Sequence, residues 1–466
     1  MPLPDIRFES PALGTDRRGF ALFRPRSLGR LPTFELFSDP SYMLELSFLR
    51  ANRSEAERRL SKRPIDAKVL LDKAVELDEH RRATQGELDA RQAELNELSR
   101  TIGDLMKGGR KDEAEITRAR TADLKTGIQN LRDGLDAAEK ALHDHLCTIP
   151  NAPSERVPVG RSPEDNTVVM QEGAVPDLPA NAQPHWELGE RYGFLHMDLG
   201  VKVTGAGFPV YSGQGAKLQR ALIAFFLDKA TAAGYREIIP PHMVNAASAF
   251  ATGQLPDKEG QMYHATVDDL YLIPTAEVPI TNLYRDDILD PSQLPVKMVG
   301  YTPCFRREAG SYGAHVRGLN RVHQFDKVEI VRIEHPEKSY AVLEEMVEHV
   351  KGLLRDLELP FRQLLLCGGD MGFSSAMTYD MEVYAAAQKR WLEVSSISNF
   401  ETFQSNRLKL RYRDEQKKTR LAHTLNGSAL ALARIVAALL ENNQTPDGIR
   451  IPKALQPYTG FDRITR

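Results

Sequence analysis

The chain has 466 residues, and its 61 lysine and arginine residues against 64 aspartate and glutamate residues give a formal net charge of −3. That length allows about three domains of ~150 residues and excludes a small disulfide scaffold. Because the net charge is close to zero, local basic patches must hold any polyanionic partner.

The cysteines, the apolar runs and the N-terminal segment indicate the cellular compartment of the protein. Cys147, Cys304 and Cys367 lie far apart and form no CxxC pair, which predicts a reducing, cytoplasmic environment and no zinc site. No run reaches the ~18 apolar residues that a spanning helix needs, so no membrane partner is expected. Residues 1–42 contain six arginines and five acidic residues. Because that mixture fits neither a secretory signal nor a transit peptide, it predicts a weakly ordered extension.

Residues 67–146 have the composition and spacing of a long helical hairpin. They contain no proline, and mostly apolar positions recur in steps of four and three. These positions are Leu77, Arg81, Thr84, Leu88, Arg91, Leu95, Leu98, Ile102 and Leu105, then Leu124, Ile128, Leu131, Leu135, Ala138 and Leu142. Gly108 and Gly109 permit a reversal, and Asp112 is expected to cap the returning helix. The pattern predicts an antiparallel coiled-coil arm.

Two functions stay open for this arm from its residues alone. A dimerisation or spacer coiled coil needs only the apolar seam. The cations Lys107, Arg110, Lys111 and Arg118 gather near the tip, where they can contact phosphates.

The sequence pattern after residue 150 predicts a fold that contains both helices and strands. Residues 151–184 have the turn-rich composition of a linker. Beyond residue 205, helical patterns such as residues 215–233 are interspersed with strands, which we predict at residues 296–301, 323–333, 362–366 and 392–395. This arrangement predicts an α+β fold with an antiparallel sheet flanked by helices. Neither a P-loop nor a GxGxxG motif occurs.

The densest group of chemically useful side chains begins at Arg306. Arg306, Arg307 and Glu308 follow one predicted strand, and a glycine-rich segment leads from them to the next strand. An arginine at a strand end offers a planar fork for phosphate or carboxylate oxygens. Glu308 is expected on the same strand face as Arg306, where it can accept from an exocyclic amine. The alternative is an ordinary arginine–glutamate pair on a hairpin.

A second group lies in the strand around residue 393. Alternation places Glu393 and Ser395 on one strand face, with Ser396 on the other unless the strand ends there. A carboxylate near hydroxyl groups can hold Mg²⁺ when phosphates complete the coordination shell. Without phosphates, the same pattern is typical of an exposed strand edge.

A third group lies near the C-terminus. Asn426 or Ser428 is expected to cap a helix that begins at residue 429. Arg434 would lie about two turns into that helix, within an apolar run, and would need an anion as its partner.

These segments, taken in order, resemble the class II aminoacyl-tRNA synthetases, and within them the bacterial-type seryl-tRNA synthetase family. Residues 234–241 resemble motif 1, residues 305–329 motif 2, and residues 426–434 motif 3. Residues 252–256 and 275–279 resemble serine-specific segments of the family. The zinc-dependent, archaeal-type branch is disfavoured.

The resemblance implies a role for each matching residue. Arg306 and Arg434 would be the catalytic residues that bind the phosphates of ATP, with Arg306 also near the amino acid carboxylate. Glu308 would accept from the adenine amino group, Val322 would line that pocket, and Phe325 would stack on the base. Further implied ATP-binding residues are Arg307, Glu393, Val394, Ser395 and Ser396, of which Glu393 and Ser396 would hold Mg²⁺. The implied serine-binding residues are Thr275, Ala276, Glu277, Arg306, Glu329 and Ser428.

The implied activity is that of a serine–tRNA ligase. The carboxylate of L-serine would attack the α-phosphorus of ATP, and the resulting seryl-adenylate would react with the 3′ end of tRNA(Ser). Whether tRNA(Sec) is also charged stays open. The alternative is a paralogue that charges a carrier protein or only binds RNA, although both the arm and the two arginines are present.

The resemblance also implies an organisation of the chain. Residues 43–150 would form a tRNA-binding domain with the helical arm, and residues 151–466 the catalytic domain. The family arm crosses to tRNA on the other subunit, which implies a homodimer. Family members commonly begin with a segment like residues 43–50, so we expect Met43 to be the natural start.

Overall fold

The computed structural model describes residues 46–257, 259–309 and 316–466. The expectations for residues 1–42 and for Met43 lie outside these ranges. The helices are α1 (Leu46–Ala51), α2 (Arg53–Leu60), α3 (Ala67–Lys107), α4 (Lys111–Leu146), α5 (His185–Tyr192), α6 (Met197–Val203), α7 (Gly213–Ala232), α8 (Ala246–Ala251), α9 (Glu277–Asn282), α10 (Ser339–Asp356), α11 (Phe403–Leu408), α12 (Leu432–Asn442) and α13 (Gln456–Thr459).

The strands within the same ranges vary from two to eleven residues. They are β1 (Thr167–Glu172), β2 (Leu195–His196), β3 (Val210–Tyr211), β4 (Arg236–Glu237), β5 (Met243–Asn245), β6 (His264–Ala265), β7 (Leu270–Leu272), β8 (Ile288–Leu289), β9 (Val296–Phe305), β10 (Gln324–Glu334), β11 (Phe361–Leu365), β12 (Met377–Ala385), β13 (Arg390–Asn399), β14 (Arg411–Arg413), β15 (Thr419–Leu421), β16 (His423–Ala431), β17 (Gln444–Thr445), β18 (Gly448–Arg450) and β19 (Arg463–Ile464).

Helices α3 and α4 pack along each other as the predicted coiled-coil arm, which is confirmed. Buried side chains such as Ile128 and Leu135 recur along the seam. Asp66 caps the start of α3, because its carboxylate accepts from the backbone N–H of Val69 at 3.0 Å. The predicted cap at Asp112 is wrong. The α4 helix begins after Arg110, which makes no side-chain cap, and Asp112 lies inside the first turn.

A buried arginine joins the base of the arm to the rest of the fold. The Arg63 guanidinium donates to the backbone oxygens of Asn151, Met371, Gly372 and Ser375 at 2.8–3.1 Å. Because four carbonyl oxygens replace water around it, the cation is solvated by backbone dipoles. Burial lowers the pKa of Arg63 to about 10. All described residues belong to one compact unit, and a domain boundary at residue 150 stays a prediction.

The main sheet confirms the predicted α+β class. Among the described residues, eight strands form it in the order β1-β11-β12-β13-β16-β10-β9-β4. Every neighbouring pair is antiparallel except β4 with β9. Helices α7, α10 and α12 pack against this sheet around a core that includes Phe226, Leu343 and Leu440. No helix within the described ranges is long and apolar enough to cross a membrane.

The predicted strands around residues 296–301, 323–333, 362–366 and 392–395 fall within β9, β10, β11 and β13, apart from one end residue in two of them. The predicted helix boundary near residue 429 is wrong. Residues His423–Ala431 form strand β16, and α12 begins only at Leu432. Asn426 and Ser428 therefore pair across the sheet and cap nothing, and Arg434 is the third residue of α12.

Candidate active site

One cavity of about 640 Å³ lies against β10, β13 and β16, and it brings together side chains that are far apart in the sequence. That volume suits a nucleotide-sized ligand. The predicted residues that line it are Thr275, Glu277, Arg306, Glu308, Val322, Phe325, Glu329, Glu393, Ser396, Ser428 and Arg434. The predicted residues Ala276, Val394 and Ser395 are buried behind the wall, and Arg307 lines a neighbouring cavity. Lys107, Arg110, Lys111 and Arg118 lie on the arm.

Arg306 stands at the point where β9 ends. Its backbone N–H donates to the carbonyl oxygen of His323 at 2.9 Å, and its Nε donates to that of Pro274 at 3.4 Å. The guanidinium carbon lies 5.3 Å from the centre of the Phe325 ring, within the range of a cation–π contact. These contacts direct a planar cation into the cavity.

Glu308 does not share a strand face with Arg306, contrary to expectation. Strand β9 ends at Phe305, and Glu308 has a φ of 47°, so the backbone turns before it. Its Oε2 accepts from Arg321 at 2.7 Å. The hairpin arginine–glutamate pair is therefore present, and it lies in the cavity wall. Because Arg321 is 45% exposed, the pair adds little stability and mainly orients the carboxylate.

Arg434 reaches the cavity from the first turn of α12. Its Nε donates to the backbone oxygen of Asn320 at 3.1 Å, and its Nη1 donates to that of Glu393 at 2.8 Å. The Glu393 carboxylate lies 3.7 Å from the same Nη1. The expected anionic partner is thus partly supplied by Glu393.

A β-bulge explains how Glu393 and Ser396 come to face one cavity. In the pairing of β12 with β13, Met381 lies opposite Ser395 and Glu382 lies opposite Glu393, so Val394 is the extra residue. The extra residue shifts the alternation of side chains between the two sheet faces by one position, so Glu393 and Ser396 point to the same face. The predicted shared face of Glu393 and Ser395 is therefore wrong, since Ser395 points away and donates to the backbone oxygen of Ser428 at 2.5 Å.

Glu393 and Ser396 form a pair of oxygen ligands whose chemistry suits magnesium. Glu393 and Ser396 present a carboxylate and a hydroxyl group to the cavity. Mg²⁺ commonly takes one or two protein oxygens and completes its shell with phosphates and water, so the pair fits. Within the described part of the chain, no three His, Cys, Asp or Glu side chains are grouped to hold a metal ion by themselves.

The deepest part of the cavity holds two glutamates and one lysine. The Lys327 Nζ lies 2.7 Å from Glu329 Oε2, and the Ser428 hydroxyl donates to that oxygen at 3.2 Å. Gln404 Nε2 donates to Glu277 Oε1 at 2.5 Å. All five side chains are buried. Each carboxylate therefore has its own partner.

The two carboxylates differ in their electrostatic surroundings. Burial, followed by the nearby charge of Glu329, raises the pKa of Glu277 to about 7, although the hydrogen bond from Gln404 opposes the shift. Glu329, in contrast, is paired with the Lys327 ammonium. Glu277 is thus the carboxylate that gains most from an added cation.

Sequence reasoning missed Lys327 and Gln404. Lys327 precedes Glu329 by two residues on β10, and alternation could have placed the two side chains on one face. Gln404 lies on α11, more than 120 residues from Glu277, and no local pattern indicates their contact.

Comparison with known proteins covers both the arm and the sheet. Residues 43–153 match the model of the seryl-tRNA synthetase N-terminal domain, and residues 262–443 match that of the tRNA synthetase class II core domain (G, H, P, S and T). The serine–tRNA ligase of Salinibacter ruber is 50% identical over 424 residues, which cover 91% of this chain and 99% of that protein. The chain belongs to the seryl-tRNA synthetase family. The serine–tRNA ligase of Neisseria meningitidis serogroup B is 45% identical over 426 residues, 90% of this chain and 98% of that protein.

Solved structures agree with this family and fold. The seryl-tRNA synthetase of Pyrococcus horikoshii, solved in complex with ATP, has a TM-score of 0.84 and 33% identity, and the match covers 91% of this chain and 99% of that one. The cytoplasmic serine–tRNA ligase of Naegleria fowleri, solved with AMP, has a TM-score of 0.79 and 26% identity over 89% of this chain and 96% of that one. The α+β class II fold with its helical arm is therefore confirmed.

Proposed function

We propose that this chain is a serine–tRNA ligase that activates L-serine with ATP and transfers it to the 3′ end of tRNA(Ser). The observation that carries the proposal is one cavity in which Arg306 and Arg434 face the buried Glu277 and Glu329. Guanidinium groups suit phosphates, and buried carboxylates suit an ammonium and a hydroxyl group. A paralogue for a carrier protein would not need the long arm, along which the serine–tRNA ligases align.

The ATP side of the cavity would be formed by the predicted residues. Arg306 and Arg434 would neutralise the phosphates, with Arg307 at the adjoining rim. Arg321 engages Glu308 Oε2, so Oε1 is the oxygen that would accept from the adenine amino group. Val322 and Phe325 would contact the base. Val394 and Ser395 would act through the backbone, since the Ser395 hydroxyl is bonded to the Ser428 carbonyl oxygen.

Magnesium would be held by Glu393 and Ser396 together with the phosphates of ATP. A bound ion there would offset the charge of the phosphates and hold them in one orientation. The protein oxygens for it come from a single strand, β13.

The serine side would distinguish the substrate by polarity. Glu277 would take the ammonium group, and Glu329 with Ser428 would take the hydroxyl group. Thr275, just before α9, would complete the wall, and Ala276 would support it from behind. Alanine would leave Glu329 and Ser428 without their hydroxyl partner, and unpaired buried polar groups are costly.

The reaction would be an in-line displacement with no covalent enzyme intermediate. The serine carboxylate oxygen forms a bond to the α-phosphorus of ATP, and pyrophosphate leaves. The 3′-terminal hydroxyl of tRNA then displaces AMP from the seryl-adenylate. The protein contributes position and charge, since Arg306 and Arg434 face the same space from β9 and α12.

We further propose that the arm binds tRNA and that the enzyme is a homodimer, with residues 43–150 and 151–466 as its domains. Support for a dimer comes from β4 at the edge of the main sheet and from Ile239 beside it, which is 86% exposed. An exposed isoleucine beside an edge strand is suited to pairing with a second subunit.

The first prediction concerns Arg306. Replacing it by alanine removes a charge aimed at the phosphates, so serine-dependent ATP–pyrophosphate exchange should fall at least about 100-fold. Assaying all twenty amino acids with the unaltered protein tests the substrate, and serine should dominate. Arg413→Ala, which removes an exposed arginine on β14, is the matched control and should keep full activity. Near-normal exchange by Arg306→Ala would contradict the assignment.

The second prediction separates the arm from the chemistry. Residues 88 and 131 lie near each other across the hairpin, since a Cβ placed on Gly134 would lie 4.0 Å from the Thr84 side chain, so a short Gly-Ser turn can replace residues 88–131. Pyrophosphate exchange should stay within about threefold, whereas charging of bulk tRNA should fall at least about 100-fold because phosphate and groove contacts are lost. Equal loss of both activities would refute this division of roles.

The third prediction follows from the pKa of Glu277, which burial and the nearby charge of Glu329 raise to about 7. Serine's ammonium needs the ionised carboxylate, so binding must expel a proton below pH 7. Serine affinity should therefore rise about tenfold per pH unit between pH 5.5 and 6.5 and level off above pH 8. Calorimetric titration at several pH values measures this slope. Glu277→Gln should bind serine weakly and without the slope, and a slope that persists in this variant would exclude Glu277 as its source.

The fourth prediction tests the dimer by light scattering combined with charging assays. The unaltered protein should have twice the mass of the chain, and Ile239→Lys should shift it toward the monomer and lower tRNA charging. A fully active monomer would contradict the proposal.

A further inference from the structure

A buried histidine outside the cavity contacts the segment that returns to it. His185 begins α5, follows Pro184 and is fully buried. Its Nδ1 lies 2.8 Å from Oε1 of Glu441, a fully buried carboxylate on α12. Glu441 also accepts from the backbone N–H of His185 at 3.0 Å and from that of Gln388 at 3.1 Å. These donors hold the carboxylate in one orientation.

The partner of the second ring nitrogen defines the tautomer. The backbone N–H of Leu319 donates to His185 Nε2 at 2.8 Å. Nε2 is therefore an acceptor, and Nδ1 must carry the proton that is donated to Glu441. Glu441 thus selects the form of the imidazole that can bind Leu319.

The backbone approaches this ring more closely than a side chain would allow. Gly318 has a φ of +67°, and a Cβ there would lie 2.3 Å from His185 Nε2. Only glycine accepts both the left-handed backbone and the contact. Beside it, the Arg317 guanidinium lies 4.8 Å from the centre of the Trp186 ring. Residues 317–319 are therefore held against the start of α5 at three consecutive positions.

Residues 317–319 continue directly into residues 320–323, which border the part of the cavity that we assign to ATP. The carbonyl oxygen of Asn320 accepts from Arg434 Nε at 3.1 Å, and the Asn320 amide donates to Gln388 Oε1 at 2.7 Å. Val322 lines the cavity, and the carbonyl oxygen of the next residue, His323, accepts from the Arg306 backbone. One short segment thus contacts both arginines assigned to the phosphates of ATP.

We propose that His185, oriented by Glu441, is a positioning residue for ATP: it holds the Leu319 N–H and thereby places the Asn320 carbonyl that orients Arg434. The inference rests on the proposed function, since ATP is the ligand. His185 touches no substrate in this arrangement and acts through the backbone of residues 319–320.

A histidine with a purely structural role would affect stability but would not distinguish between substrates. The serine side, formed by Glu277, Glu329 and Ser428, is not in contact with His185, and it provides an internal reference. Loss of the contact between His185 and Leu319 should therefore lower kcat/KM for ATP and leave the serine dissociation constant unchanged. This difference separates positioning from general destabilisation.

The experiment uses the full-length chain and three variants. His185→Leu removes both ring nitrogens, Gly318→Ala pushes the backbone off the ring while keeping His185 and Glu441, and His185→Gln retains a side-chain acceptor. The matched control is His423→Leu, which removes a histidine at the start of β16 whose Nδ1 lies 2.8 Å from the Ser339 hydroxyl oxygen. Thermal unfolding is recorded for each protein. Serine-dependent pyrophosphate exchange gives kcat/KM for ATP, and calorimetry without ATP gives the serine dissociation constant.

The first two variants should lose at least about tenfold in kcat/KM for ATP, an effect of the size that misplacement of a binding group produces. Their serine dissociation constants should stay within twofold, and His185→Gln should recover most of the ATP loss. If His185→Leu fails to fold, Gly318→Ala decides by the same criterion. Unchanged kcat/KM for ATP in a folded variant, equal losses for ATP and serine, or the same ATP loss in His423→Leu would overturn the proposal. Absence of serine-dependent exchange in the unaltered protein would instead refute the proposed function.

Discussion

The pairing of β10 with both β9 and β16 is the constraint on which the site depends. Glu329, on β10, lies opposite Gly300 of β9 and opposite Ser428 of β16. These pairings place Arg306, at the end of β9, and Arg434, just beyond β16, at one side of the sheet. A register slip of one residue in either pair would turn Glu329 or Ser428 to the opposite face. The long strands therefore position the chemistry as well as the fold.

The electrostatics of the serine side follow from the same register. Two glutamates share a buried space with a single lysine, and Lys327 is closest to Glu329. Burial, followed by the charge of Glu329 beside it, raises the pKa of Glu277 to about 7. An incoming ammonium group would supply the missing positive charge. This part of the cavity is thus complementary to a cation and, through Ser428, to a hydroxyl group.

Much of this arrangement could be predicted from the sequence. Periodicity located the arm and the strands because both patterns are local, and most of the predicted ATP- and serine-binding residues line one cavity. Three features could not be predicted, since each depends on distant partners. The bulge at Val394 appears only in the pairing of β13 with β12. The start of α12 at Leu432 depends on β16 joining the sheet. The role of His185 depends on its contacts with Leu319 and Glu441, which are distant in the sequence.

The near-neutral charge of the chain has a structural counterpart in the arm. Arg110 pairs with Glu113, Arg118 lies 3.4 Å from Glu115, and Arg120 lies 2.6 Å from Glu94 on the opposing helix. The charges of these three arginines are therefore compensated within the arm itself. Exposed pairs of this kind are weak and exchange readily for phosphate contacts, so they would resist RNA binding only slightly. If the arm binds tRNA as proposed, selection of one tRNA would also depend on the shape of the hairpin and on where it is held, for which the Arg63 anchor at its base is well placed.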